Sequence, residues 1–148
     1  MKGSDRQPFF HAGPSRRICA LLIDPVRLRR DCLAQLLMSS APDFEIHSVA
    51  DCGEAAQERA ALDIVLFYAM HRCAATVDLE ADLQRVAAHF PKRPILMICE
   101  RNEALTISET LQGGLRGIFP ASLGTTLLIA TLRVIVATAR RAEPPAPR

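Results

Sequence analysis

Apolar and polar positions alternate along this chain in two rhythms. Short, wholly apolar runs are each followed by a stretch in which apolar residues recur every three or four positions. The first run, Ile18–Cys19–Ala20–Leu21–Leu22–Ile23, ends abruptly at Asp24, as a buried parallel strand does when both its faces are covered. Pro25 suits the first turn of a following helix, where its missing N–H has no partner in any case, and Asp24 is then the expected N-cap. Leu28, Cys32 and Leu36, together with Leu33 and Leu37, carry the helical rhythm to Met38, and Ser39, Ser40 and Pro42 close it.

The same pair of rhythms repeats. Residues 44–50 read as a second strand, and Asp51–Cys52–Gly53–Glu54 leads into a short helix ending at Ala60. Residues 63–68 form a third strand, 71–76 a loop, and 77–90 a helix carrying Val77, Leu79, Leu83, Val86 and Ala87. Residues 94–99 form a fourth strand. Residues 103–112 form a helix stopped by Gly113 and Gly114. Residues 115–119 are a short fifth strand, and residues 123–141 a last helix with Leu127, Leu128, Thr131, Leu132, Ile135 and Val136. Strand then helix, five times over, predicts an α/β fold with a parallel sheet and helices on both faces, because parallel strands need crossover connections. Ligands bind such sheets at the carboxyl ends of the strands. Here those ends are Asp24, Tyr68, Cys99 and the residues after Phe119.

Composition narrows the function classes. The 148 residues fit one domain, and at 49% apolar they can bury a real core, which is aliphatic because Trp is absent and Tyr68 is the only tyrosine. No apolar run approaches the roughly 20 residues needed to cross a bilayer, and no apolar stretch follows the basic N-terminus as a secretory signal requires. A cytoplasmic chain without membrane contact is expected. It divides into a flexible arm over 1–17, a folded domain over 18–141 and a disordered Pro-rich tail over 142–148. Charge is uneven: residues 1–17 and 131–148 each hold four basic side chains and one acidic, whereas 18–130 hold ten basic and fourteen acidic. The basic excess sits at the chain ends and not on the body, which argues against direct nucleic-acid binding. Cys19, Cys32, Cys52, Cys73 and Cys99 are odd in number and form no C-x-x-C pair, so small apolar packing is their expected role.

Several segments resemble the receiver domains of response regulators, in particular those of LuxR-type transcription factors. Residues 20–33 (ALLIDPVRLRRDCL) resemble the opening of such receivers, and Asp43–Phe44–Glu45–Ile46 followed by Ala50–Asp51–Cys52–Gly53–Glu54–Ala55 resembles their second strand and its exit. Leu62–Asp63–Ile64–Val65–Leu66–Phe67 is similar to their third strand. Residues 113–120 (GGLRGIFP) are similar to the stretch before their last helix. The match spans about 18–140. It implies a flavodoxin-like doubly wound sheet of five parallel strands in the order 2-1-3-4-5.

The resemblance also implies a chemistry. In the family, acids at the end of the first strand and an aspartate at the end of the third hold Mg²⁺, and that aspartate accepts a phosphoryl group. A Thr or Ser after the fourth strand and a Lys after the fifth bind the phosphate. A trianionic donor approaching a carboxylate needs such cations to offset repulsion. In this chain the first acid is Asp24, but the second position is Pro25, the acceptor position is Tyr68, the Thr/Ser position is Cys99 and the Lys position is Ala121. No metal, cofactor or catalytic residue is therefore expected. Tyr68 is expected to plug the vacated pocket, and Cys99 to pack without redox chemistry. His71 and Cys73 are too few for zinc. Arg27, Arg29 and Arg30, with Arg16 and Arg17, read as a solvated helix face before an anion-binding one.

These departures point to a non-enzymatic, phosphorylation-independent receiver that acts by protein contact, with a homodimer, another regulator or a histidine kinase as partner. The family's output surface corresponds to Leu111, Leu115, Ile118, Thr126, Ile129, Ala130 and Arg133. The alternative is a regulatory domain that binds a small ligand in the degenerate pocket. A helix-turn-helix output domain would follow the tail in a LuxR-type protein, so the chain reads either as a stand-alone pseudo-receiver or as the receiver part of a longer regulator.

Overall fold

A computed structural model of the chain describes residues 16–54, 62–69, 76–99, 114–145 and 147. Five strands, β1 (Ile18–Ile23), β2 (Phe44–Val49), β3 (Ile64–Tyr68), β4 (Ile95–Cys99) and β5 (Leu115–Pro120), form one sheet in the order β2-β1-β3-β4-β5. Every pairing is parallel. This is the expected 2-1-3-4-5 arrangement. Helices α1 (Arg27–Ser40) and α3 (Gly124–Ala142) cover one face, and α2 (Thr76–His89) lies on the other. The expected helices over 55–60 and 103–112 lie outside the described residues, as do His71, Cys73 and Leu111.

The strands alternate between two cores. Ala20, Leu22, Ile64, Leu66, Leu96 and Ile98 point to α1 and α3, where they meet Leu37, Leu128, Leu132 and Val136. Leu21, Ile23, Val65, Phe67, Ile95 and Met97 point the other way, to Leu79, Leu83, Val86 and Phe90 of α2 and its exit. Burying one such Leu, Ile or Phe contributes about 1.5–3 kcal/mol. Two-sided burial explains why the central strands carry no polar residue. The edge strand β2 does carry them, with Glu45 exposed and His47 half-buried and paired to it at 3.0 Å.

Three differences from the sequence-based expectation have simple causes. First, α1 starts at Arg27 with Val26 in the capping position and no side-chain cap, so Asp24 holds the turn before the helix instead of capping it. In that helix Leu28 (75% exposed), Cys32 and Leu36 face solvent, and Ala34 and Leu37 face inward. Second, Ala121–Ala142, the 3-10 turn Ala121–Leu123 plus α3, is long and apolar enough by length and composition to cross a membrane. Here Leu128, Ile129, Leu132 and Val136 use one of its faces for the core. Gly124 permits the break between turn and helix through its φ of 81°. Third, β5 is irregular: Ile95 pairs with Leu115 but Leu96 pairs with Gly117, leaving Arg116 as the extra residue of a bulge. Gly117 fits there because a Cβ would stand 3.4 Å from Leu96 Cδ1.

Candidate functional site at the carboxyl end of the sheet

β1 delivers Asp24 to the carboxyl edge of the sheet, where its side chain is fully buried. Its backbone N–H donates to Val49 O at 3.1 Å, which locks the residue to the end of β2. A buried carboxylate needs partners, and this one has three side-chain interactions. Arg29 Nε donates to Oδ2 at 2.6 Å and Arg29 Nη2 to Oδ1 at 2.6 Å, a two-pronged fork. The Val26 N–H donates to Oδ1 at 2.9 Å. Arg30 Nη1 donates to the Asp24 carbonyl at 2.8 Å. The Arg29 side chain is itself only 19% exposed.

Tyr68, at the end of β3, completes the stack. The Arg29 guanidinium carbon lies 4.2 Å from the centre of its ring, within cation–π range. The ring is half-buried and packs on the core shared by α1 and α3. Two cavities open beside it. One, of about 240 Å³, is lined by Pro25, Arg29, Asp51, Cys52, Tyr68 and Arg85 among others. A second, of about 210 Å³, is lined by Tyr68 with Leu33, Leu36 and Leu128 among others. The Tyr68 ring lines both cavities and fills neither.

Cys99 is buried at the end of β4, opposite Pro120 in register. Its burial agrees with a packing role and opposes exposed-thiolate chemistry. Cys52 is also buried, and burial pushes its thiol pKa up. Cys32 is exposed and Cys19 half-buried, so apolar packing describes only some of the cysteines. Ala121 is half-buried against the core and Pro25 is exposed. Asp24, Pro25 and Tyr68 therefore gather around Arg29, while Cys99 and Ala121 supply no charged group.

Arg29 and Arg30 are the residues sequence reasoning misplaced. Of the three arginines assigned to a solvated helix face, only Arg27 has that role, with its side chain 85% exposed beside Asp31. The available signal was a strand-end aspartate that needs a counter-charge within one helical turn.

The expected contact surface divides as well. Ile129 is core, at 7% exposure, and Leu115 is half-buried. Ile118, Thr126, Ala130 and Arg133 are exposed, joined by Leu123, Leu127 and Val134. Arg133 is engaged within the chain: Nη2 donates to Asp43 Oδ1 at 2.8 Å, and the guanidinium lies 5.7 Å from the Phe44 ring centre. That bond holds the Asp43 carboxyl below the usual carboxylate range.

No protein-family model matches the sequence, and no curated protein is significantly similar to it. Solved structures share the fold. A CheY-like response regulator receiver domain protein from Methanospirillum hungatei superposes with a TM-score of 0.66 at 12% identity, over 86% of this chain and 99% of that one. The chain has the receiver fold. A two-component response regulator from Clostridium difficile gives a TM-score of 0.63 at 18% identity, covering 86% of this chain and 100% of that one. A LuxR family DNA-binding response regulator from Silicibacter pomeroyi gives 0.62 at 18%, covering 82% and 93%. Identities this low carry the fold alone.

The receiver likeness implies a Mg²⁺ site at these strand ends, and the residues present do not fit one. Both Asp24 oxygens are taken by Arg29, Pro25 offers no side-chain oxygen, and Tyr68 puts a ring where a second carboxylate would stand. Mg²⁺ needs oxygens arranged octahedrally around it. A guanidinium already neutralises the Asp24 carboxylate.

Proposed function

We propose that this chain is a receiver-like signalling domain that works without phosphorylation, through protein contact, in the cytoplasm. The observation that carries this reading is the Arg29 fork on Asp24, an internal cation engaging the carboxylate that a phosphorylatable receiver gives to its metal. Without a carboxylate at position 68 there is no acyl phosphate to form. The contact surface in this reading is the exposed strip of Ile118, Leu123, Leu127, Ala130 and Val134 on β5 and α3, and the simplest partner is a second copy. With no phosphate to shift it, the population of the contact-competent state is constant.

Incubation with acetyl phosphate and Mg²⁺, followed by intact-mass measurement, is expected to show no adduct, and millimolar Mg²⁺ to leave Tm unchanged. A stoichiometric adduct sinks the reading. For the contact surface, Leu127→Glu and Ala130→Glu are cleaner probes than changes at the buried Ile129 or the paired Arg133. Light scattering across a concentration series is expected to show a dimer that these variants lose with the fold intact. A parent that remains monomeric throughout removes the self-association part.

The cavity beside Arg29 favours a second reading, a small ligand bound at the strand ends between Arg29 and Arg85. Arg85→Ala would then abolish binding of that ligand in a metabolite screen while leaving self-association untouched.

A further inference from the structure

The amino-terminal edge of the sheet, opposite the site above, carries a second and differently built charge cluster. Asp63, just before β3, is the organiser. Its Oδ2 accepts from the Cys19 N–H at 2.9 Å, and its carboxylate takes Arg140 through Nε at 3.1 Å and Nη2 at 2.9 Å. Arg140 Nη2 also donates to the Arg17 carbonyl at 2.9 Å. Beside this, Arg93 pairs with Glu143 at 3.0 Å. The basic chain ends, far apart in sequence, thereby meet the α2–β4 connection and β5 at one place.

A pocket of about 210 Å³ opens there, lined among the described residues by Lys92, Arg93, Arg116 and Arg140 and by two acids, Asp63 and Glu143. Both acids are already engaged by arginines. Lys92 and Arg116 are exposed, and neither has an ion-pair partner among the described residues. Arg116 is the extra residue of the β5 bulge, so a local irregularity of the sheet brings it to this rim. Two guanidinium groups are pre-oriented by their acids and two further cations are uncommitted. Guanidinium forks match phosphate oxygens, and ammonium adds a point charge.

We propose that this pocket binds a small ligand bearing two linked phosphates. Lys92 and Arg116 supply the uncompensated charge, and Arg93 and Arg140 the fixed walls. The pocket's net positive lining distinguishes it from the carboxyl-end cavity, where Asp24, Asp51 and Asp82 offset Arg29 and Arg85. Its size holds a diphosphate, and its charge is too concentrated for an apolar ligand.

The test uses the full chain with inorganic pyrophosphate and, separately, a nucleoside diphosphate, by calorimetry and thermal shift at low and then physiological salt. One-to-one binding of pyrophosphate is expected, with a Tm rise of about 5–10 °C at roughly a hundred times Kd. Lys92→Glu and Arg116→Glu should each weaken binding at least tenfold, while Arg27→Glu, on exposed α1, should not. Tighter binding of the nucleoside diphosphate supports the proposal and adds a base or sugar contact; equal binding supports recognition of the phosphates alone. No stoichiometric binding at low salt overturns it. An equal loss in Arg27→Glu overturns it too, since the attraction is then net charge. A duplex DNA oligonucleotide that binds more tightly than either small ligand would reassign the face to nucleic acid.

Discussion

The two ends of the sheet solve one electrostatic problem in opposite ways. At each, an aspartate at a strand terminus is gripped by an arginine through two nitrogens: Asp24 by Arg29 at the carboxyl end, Asp63 by Arg140 at the amino end. At the carboxyl end the arginine comes from the helix that follows directly, stacks on Tyr68 and closes the arrangement on itself. At the amino end the arginine comes from 77 residues away, and uncommitted cations surround the pair. The first arrangement consumes a site. The second assembles one. Ligands bind such sheets at the carboxyl ends of the strands, and that edge is the neutralised one here.

The largest effects should come from unpairing the forks. Asp24→Ala leaves Arg29 in a desolvated position without a counter-charge, and urea unfolding should show a loss of about 3–5 kcal/mol. Asp63→Ala should cost less, since Arg140 is more exposed than Arg29 and can reach water. A larger cost at Asp63 would mean the amino end is the closed one. The double variant Asp24→Asn/Arg29→Met should recover much of the single-variant loss, because removing both charges removes the desolvation problem as well.

How much of this was legible beforehand follows from the range over which each feature is decided. The central strands announce themselves locally, because two-sided burial demands unbroken apolar runs such as Ile18–Ile23 and Ile95–Cys99. The face α1 presents is not local. Leu28, Cys32 and Leu36 make as good a stripe as Leu33 and Leu37, and only the way the helix docks on the sheet chooses between them. Tyr68 and Cys99 at the ends of their strands, and Pro25 and Ala121 just beyond theirs, were legible by position. The inward turn of Arg29 was not, since Arg27, Arg29 and Arg30 share one helical turn and only Asp24's burial distinguishes them. The basic ends were visible as a charge count, but their meeting at Asp63 is a tertiary fact.

Smaller perturbations sharpen the comparison. Tyr68→Leu removes the stacked ring but keeps the fork, and should cost about 1 kcal/mol beyond any change in packing. Tyr68→Asp should destabilise further without creating an acceptor, because it sets a second carboxylate near Asp24 with Arg29 as the shared counter-ion. If it proves as stable as the parent and accepts phosphate, the carboxyl end was never closed.

The smallest effect is at the exposed Asp43–Arg133 pair. Asp43 has its pKa lowered in the folded state, chiefly by the Arg133 hydrogen bond. Its contribution is therefore present above the unfolded value near about 3.9 and is lost as pH falls through the lower folded value. Asp43→Asn should remove at most about 1 kcal/mol at pH 7. It should also flatten the stability profile below about pH 4, measured by urea titration.

The bond from Arg140 to the Arg17 carbonyl joins residues 123 apart in sequence, which makes the folded domain almost a ring. A short peptide joining the two ends would have little distance to span and little loop entropy to lose. The chain could then be reopened at an exposed turn such as Pro91–Lys92, with every strand keeping its neighbours. Stretched between its ends, the molecule would first load this clasp and the Asp63 fork behind it, and only then the sheet.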